Sequence, residues 1–494
     1  MQVNEESLNR AVACCRERGI LIPTFAQLRD PASIPDAIKA RLKSVGLQDV
    51  DPLNLFRITW KNEPVETGGL FNGGNWIEFP PALTGTEARI IGIVGKWFPT
   101  GAHKVGAGFG CLVPRLVSGQ FDPTTQKAVW PSTGNFCRGG AFDCALLGCH
   151  AIGILPEEMS CERFDWLRAI GAEVIATPGC ESNVKEIYDK CWEIRRTRPD
   201  CVIFNQFEEF GNAVWHYHTT GSVIQEIYDR ISKEEPRGLK PAAHRLRLAA
   251  YVSATGSAGT IAAGDFLRTK HPGLRVVATE ALQCPTLLRF GFGGHRIEGI
   301  GDKHVPWIHN VRNTDVICAV DDEQCLALLR LFNEPAGHKC VTTVGVPEDL
   351  VRQLPLLGIS GICNLISAIK TAKMFDMDGR DVIFTCLTDS TDLYQSRLAE
   401  LRQRCGPYDA ATAVRHFGRY LEGVGPDHMR ELTYADRKAL HHFKYFTWVE
   451  QQQRTVDDLR KLWAPDFWTE MFAQVGEWDR LIEQFNERTG LTGG

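Results

Sequence analysis

Three short segments of this chain bring together residue types that can do chemistry. The first, FPTGAHKVGAGFG at 98–110, sets Lys104 among glycine, alanine and valine. An apolar setting disfavours the ammonium form, and the neutral amine is a nucleophile suited to Schiff-base formation. An ordinary surface lysine is the competing reading. The second, WPSTGNFCRGGAF at 130–142, gathers Ser132, Thr133, Gly134 and Asn135 where a polar turn opens a helix. Such donors can clamp a carboxylate or simply cap the helix. The third, VSATGSAGTIAAG at 252–264, runs from a strand through Gly256, Ser257, Ala258, Gly259 and Thr260 into a helix. Small residues let an anion approach, and the helix start adds partial positive charge, so the turn suits a phosphate monoester, unless it is only a tight connection. One cofactor, pyridoxal phosphate, acting on a small-molecule amino-acid substrate, accounts for the amine, the clamp and the cradle together.

These loops need a scaffold, and the sequence supplies one between about 86 and 395. Apolar runs at 89–94, 127–132, 151–155, 173–177, 201–205, 246–253, 274–280 and 381–387 read as strands, with helical patterns between most of them. Runs apolar on both faces, separated by helices, indicate a mostly parallel α/β sheet. In such sheets ligands bind beyond the carboxyl ends of the strands, where all three loops fall. Residues 1–85 read as helical patterns followed by a loop-rich stretch. Residues 401–494 are helical and polar, with Trp448, Trp463, Trp468 and Trp478, and are expected to pack on the core or on a partner subunit.

Composition narrows the function. The 494 residues are 44% hydrophobic and 23% charged, the balance of a globular protein. A net charge of −5 argues against a nucleic-acid binder, and no apolar run is long enough to cross a membrane. Seventeen scattered cysteines, with no C-x-x-C pair and no signal-peptide pattern, point to a reduced cytoplasmic protein. His216 and His218, Cys149-His150 and His441-His442 lack the spacing of a metal site, so no metal is expected. GAGFG at 106–110 is G-x-G-x-G and does not closely follow a strand. It reads as tight helix packing rather than a dinucleotide loop.

The motifs, taken in order, resemble those of fold-type II pyridoxal-phosphate enzymes of the cysteine synthase and cystathionine β-synthase family. PTGAHK is similar to the family's lysine motif, its AHK portion being closest to the tryptophan synthase β chain. STGN resembles the loop T-S-G-N-T-G, and ATGSAGT resembles the phosphate loop. The likeness continues through 205–207, 218–224, 296–306, 358–361 and 388–394, and so covers about 85–400. It implies a two-lobed α/β core at 86–400, with the smaller lobe at about 120–245. Helical extensions at 1–85 and 401–494 flank it, and a homodimer is expected by analogy.

The resemblance implies that Lys104 holds the cofactor as an internal aldimine and moves the substrate proton. Asn135 would bond the 3′ oxygen, and Gly256, Ser257, Ala258, Gly259 and Thr260 would cradle the phosphate. Ser360 would face the pyridine nitrogen, and Ser132, Thr133 and Gln206 would hold the substrate carboxylate. A hydroxyl at the pyridine nitrogen weakens the electron sink, which favours β-elimination or β-replacement on a β-substituted L-amino acid, through an aminoacrylate. A serine/threonine dehydratase-like ammonia-lyase and a non-catalytic binding subunit are the alternatives. Phe136 and Cys137 depart from the clamp pattern, Arg138 puts a cation nearby, and residues 338–354 are an insertion that could line the pocket.

Overall fold

Strands with nearly continuous apolar sequence, such as Arg89–Val94 and Asp381–Leu387, are buried along their whole length in the computed structural model. This is what a parallel sheet covered on both faces requires. The structure describes residues 2–491, apart from 133, 181–182, 239–244 and 302. In chain order the strands are β1 (Trp76–Phe79), β2 (Arg89–Val94), β3 (Lys127–Pro131), β4 (His150–Pro156), β5 (Glu173–Thr177), β6 (Cys201–Ile203), β7 (Arg247–Ala254), β8 (Arg275–Ala281), β9 (Val316–Val320), β10 (Asp381–Leu387) and β11 (Met429–Glu431). They form a seven-stranded sheet in the order β1-β2-β10-β7-β8-β9-β11 and a four-stranded sheet in the order β5-β4-β3-β6. Every pairing is parallel except those of the two edge strands β1 and β11.

The eight strands read from the sequence are all present. The three others show where pattern fails. β1 and β11 are short edge strands lying in the stretches read as loop-rich and helical. β9 is a five-residue apolar run, VICAV, that periodicity cannot separate from a buried piece of helix.

This topology converges the loops. β2, β10 and β7 are neighbours, so the segments after them, carrying Lys104, Thr388 and the 256–260 turn, leave the same edge side by side. In the smaller sheet β3 and β6 are neighbours, which places Ser132 near Gln206. The helix that begins at Lys104 (Lys104–Val117) packs against Asn135–Leu147 and Phe210–Trp215. Its glycines make this possible. A Cβ on Gly106 would lie 2.2 Å from ring atoms of Trp215, and one on Gly110 would lie 2.3 Å from the Gly211 carbonyl oxygen. GAGFG is thus a packing device, as its sequence suggests.

The two ends of the chain meet on the outer side of that helix. Asp479 accepts from the backbone N–H groups of Phe25 (2.6 Å) and Ala26 (3.2 Å). The amide of Asn486 exchanges two hydrogen bonds with the Ile22 backbone. The Phe25 ring lies 5.5 Å from Phe109 of the lysine helix and 5.6 Å from Trp478. Trp448, Trp468 and Trp478 are buried, so these three tryptophans of the tail pack within the chain, while Tyr434 and Phe446 are exposed. The insertion at 338–354 is helical over Pro335–Thr343 and Glu348–Val351. The first of these helices lies against Ala410–Phe417 of the tail, and none of the inserted residues lines the cleft described below. All seventeen cysteines are free thiols. Among the described residues no helix is long and apolar enough to cross a membrane.

Candidate active site

Lys104 is the first residue of its helix, and the turn before it is held in an uncommon shape. Thr100 has φ +70°, a left-handed conformation that is costly for a β-branched residue. The lysine lines a narrow cleft with residues that follow strands of both sheets, among them Ser132, Gln206, Gly256 and Thr388. Its Nζ donates to Ser257 Oγ (2.7 Å) and to Gln206 Oε1 (3.2 Å). The lysine turn, the phosphate-type turn and the small-sheet residue Gln206 therefore converge on one amine, and both acceptors are neutral oxygens.

Behind the lysine lies a layer of uncharged rings. His103 and His216 sit with centroids 5.0 Å apart, and Trp60 stacks on His103 at 5.9 Å. Burial, with the nearby Lys104 charge, pushes His103 down to about 3, and burial holds His216 well below its usual value. Both imidazoles are neutral at physiological pH. Thr220 Oγ1 accepts from Trp60 Nε1 (2.8 Å) and lies 2.8 Å from His216 Nδ1, which ties the layer to the helix beneath it.

Ser132, Asn135, Phe136, Gly256 and Ser257 line the cleft with Lys104 and Gln206. Ser132 Oγ accepts from the Gly134 N–H at 3.1 Å and shapes the turn. Gly134 adopts φ +148°, and a Cβ there would lie 2.3 Å from Nε of the buried Arg163. Only glycine fits. Asn135 donates through Nδ2 to Asp389 Oδ2 (2.6 Å), while its Oδ1 is buried without a partner. Ala258 carries φ +62° inside the small-residue turn. A Cβ on Gly259 would meet Asn212 Oδ1 at 2.0 Å, so that turn is packed hard against the neighbouring helix. Thr260 Oγ1 lies 2.8 Å from Ser253 Oγ.

Other expected residues stand further back. Ser360 Oγ is 2.7 Å from Thr388 Oγ1, and it is Thr388 that lines the cleft. Arg138 lies buried over the Trp166 ring at 4.7 Å, and does not line the cleft. Thr133 lies outside the described residues. Sequence reasoning missed three contributors. Asn212 donates to both Ser257 Oγ (2.9 Å) and the Gln206 carbonyl (3.1 Å), joining two sides of the site. Thr388 and Asp389 lie in the 388–394 segment, TDSTDLY, which singles out neither of them.

A primary amine, a small-residue turn at a helix start, and a buried amide with an unpartnered oxygen are the donor set that pyridoxal phosphate needs. The residues present fit the group. Comparison with known proteins agrees. A family model described as pyridoxal-phosphate dependent enzyme matches residues 98–340. These findings support a fold-type II pyridoxal-phosphate enzyme of the cysteine synthase family. Cysteine synthase B of Campylobacter jejuni is 28% identical over 299 residues, covering 60% of this chain and 87% of that protein. A probable cysteine synthase of Bacillus subtilis is 28% identical over 301 residues, covering 60% and 86%. The fold is also that of an O-acetyl serine sulfhydrylase isoform of Entamoeba histolytica. That structure has a TM-score of 0.55 and 22% identity, over 70% of this chain and 92% of that one. The extensions that close over the lysine helix lie outside the family match, at both ends of the chain.

Proposed function

We propose that this enzyme catalyses β-replacement on a β-substituted L-amino acid. The observation that carries the reading is the junction at Lys104, where Ser257, Gln206 and the lysine amine meet in one cleft. When bound, pyridoxal phosphate supplies an electrophilic carbon for the amine and a conjugated sink for electrons leaving the substrate's α-carbon. The chain does the rest. Lys104 Nζ would hold the cofactor and would also take the proton from the substrate's α-carbon and return it later. Ser132 and Gln206 orient the substrate carboxylate, with Thr133 as a third contact by resemblance. Gly256, Ser257, Ala258, Gly259 and Thr260 take the phosphate at the start of the helix Ala262–Lys270.

The polarity of the far wall favours loss of a β-substituent over transamination. Thr388 presents a hydroxyl there, backed by Ser360, and among the described residues no carboxylate lines the cleft. A hydroxyl in place of an acid would leave the pyridine nitrogen of a bound cofactor unprotonated and its electron sink weak, a setting in which departure of a β-substituent would compete well. The relatives are named as synthases, which supports replacement, with a second nucleophile adding at the β-carbon. We place the enzyme in the cytoplasm and expect it to work as a homodimer.

The test is a substrate panel with product identification. O-acetylserine with sulfide should give cysteine in the wild type and none in Lys104→Ala. Pyruvate and ammonia formed from O-acetylserine or serine without a second substrate would overturn replacement in favour of elimination.

A further inference from the structure

Asp389 has no part in the chemistry above, yet it touches three of the elements that build the cleft. Its backbone forms an isolated antiparallel bridge with Ala102, two residues before the lysine. Its carbonyl oxygen accepts from the N–H of Gly358, at the start of the helix that carries Ser360 (3.1 Å). Its side chain is fully buried. Oδ2 accepts from Asn135 Nδ2 (2.6 Å) and from the Tyr394 hydroxyl (2.7 Å). Arg163 and Arg138 lie close enough to favour its charged form, although burial is the larger influence.

The consequence falls on Asn135. A primary amide has two N–H donors and one acceptor oxygen, and the torsion that exchanges its two ends is soft. Asp389 takes one N–H and so fixes the amide plane. The second N–H and the unpartnered Oδ1 remain for whatever enters the cleft. We propose that Asp389 is a positioning residue for the cofactor, deciding which end of the Asn135 amide meets its 3′ oxygen. This rests on the pyridoxal-phosphate reading and extends it to a residue that acts only through Asn135.

The experiment is a double-mutant cycle read without turnover. Apoprotein is titrated with pyridoxal 5′-phosphate, following affinity and the visible absorption of the bound cofactor. Asp389→Ala should bind about tenfold more weakly, with a shifted band, and Asn135→Ala should do the same. The double variant should be no weaker than Asn135→Ala alone. Asp389→Asn, which keeps the shape and an acceptor oxygen, should stay within about twofold of wild type. An unchanged Asp389→Ala titration would overturn the proposal, as would a double variant that loses both increments. If Asp389→Ala does not fold, by circular dichroism, a folded Asp389→Asn that loses tenfold decides against it. Failure of the wild type to bind the cofactor would sink the cofactor reading and this inference together. Normal wild-type binding beside an indifferent Asp389→Ala would sink the inference alone.

Discussion

Ala258 holds φ +62° in the turn that the phosphate reading depends on, where a glycine would be free of strain. The left-handed conformation costs an L-residue about 1–2 kcal/mol, and glycine's extra freedom in the unfolded chain gives back about 0.4–1 kcal/mol. Ala258→Gly should therefore raise stability by up to about 1 kcal/mol in denaturant unfolding; a clear loss would show that the strain is not there. Residues of this turn were legible because small side chains between a strand and a helix have few other purposes. Lys104, Ser132, Asn135 and Gln206 were legible through ordered motifs. Asn212 was not, because an asparagine inside the helix Phe210–Trp215 has no distinguishing pattern. Asp389 was not, because its partner lies 254 positions away in sequence. Ser360 shows the limit of motif transfer, since the hydroxyl on the cleft wall belongs to Thr388, with Ser360 bonded behind it.

Among the elements, the C-terminal helices brace a segment next to the site. Lys444 is fully buried and donates to the carbonyls of Trp307 (2.8 Å) and His309 (2.7 Å), while Trp448 Nε1 donates to the Val305 carbonyl (2.8 Å). Burial lowers the Lys444 amine well below its usual value, toward the neutral form, whose two hydrogens match the two carbonyls. The segment so gripped continues from Gly299 and Gly301, which line the cleft, and Ile308 N–H donates to the Phe207 carbonyl beside Gln206. The tail thus clamps the rear of the site. Lys444→Met would strand two buried carbonyls and should cost about 2 kcal/mol or more. Thermal unfolding measures the loss. Hydrogen exchange should show it concentrated at 299–309; uniform loosening, or none, would contradict the clamp. The α/β succession was readable from the sequence because strands apolar on both faces have one architectural solution. The clamp was not, because polar amphipathic helices do not announce what they cover.

For the molecule as a whole, the buried histidines set an acid limit. His103, His304 and His309 are each pushed down to about 3, and His295 to about 4, with burial the leading cause in every case. Their unfolded value is about 6.5. Between those values the unfolded chain binds protons that the folded chain does not, so stability is full above about pH 6.5 and falls as pH drops toward 4. Each histidine adds a slope of about 1.4 kcal/mol per pH unit. Denaturant midpoints from pH 8 to 4.5 should fall steeply below 6.5, and a flat profile would mean that these rings are hydrated. That the two chain ends close over the lysine helix also means that neither extension is an independent appendage. The most direct test of the whole account is covalent. Holoenzyme reduced with borohydride and digested should carry the cofactor's mass on the peptide containing Lys104, and on that peptide only. Cofactor recovered free, or fixed to a different lysine, would contradict it.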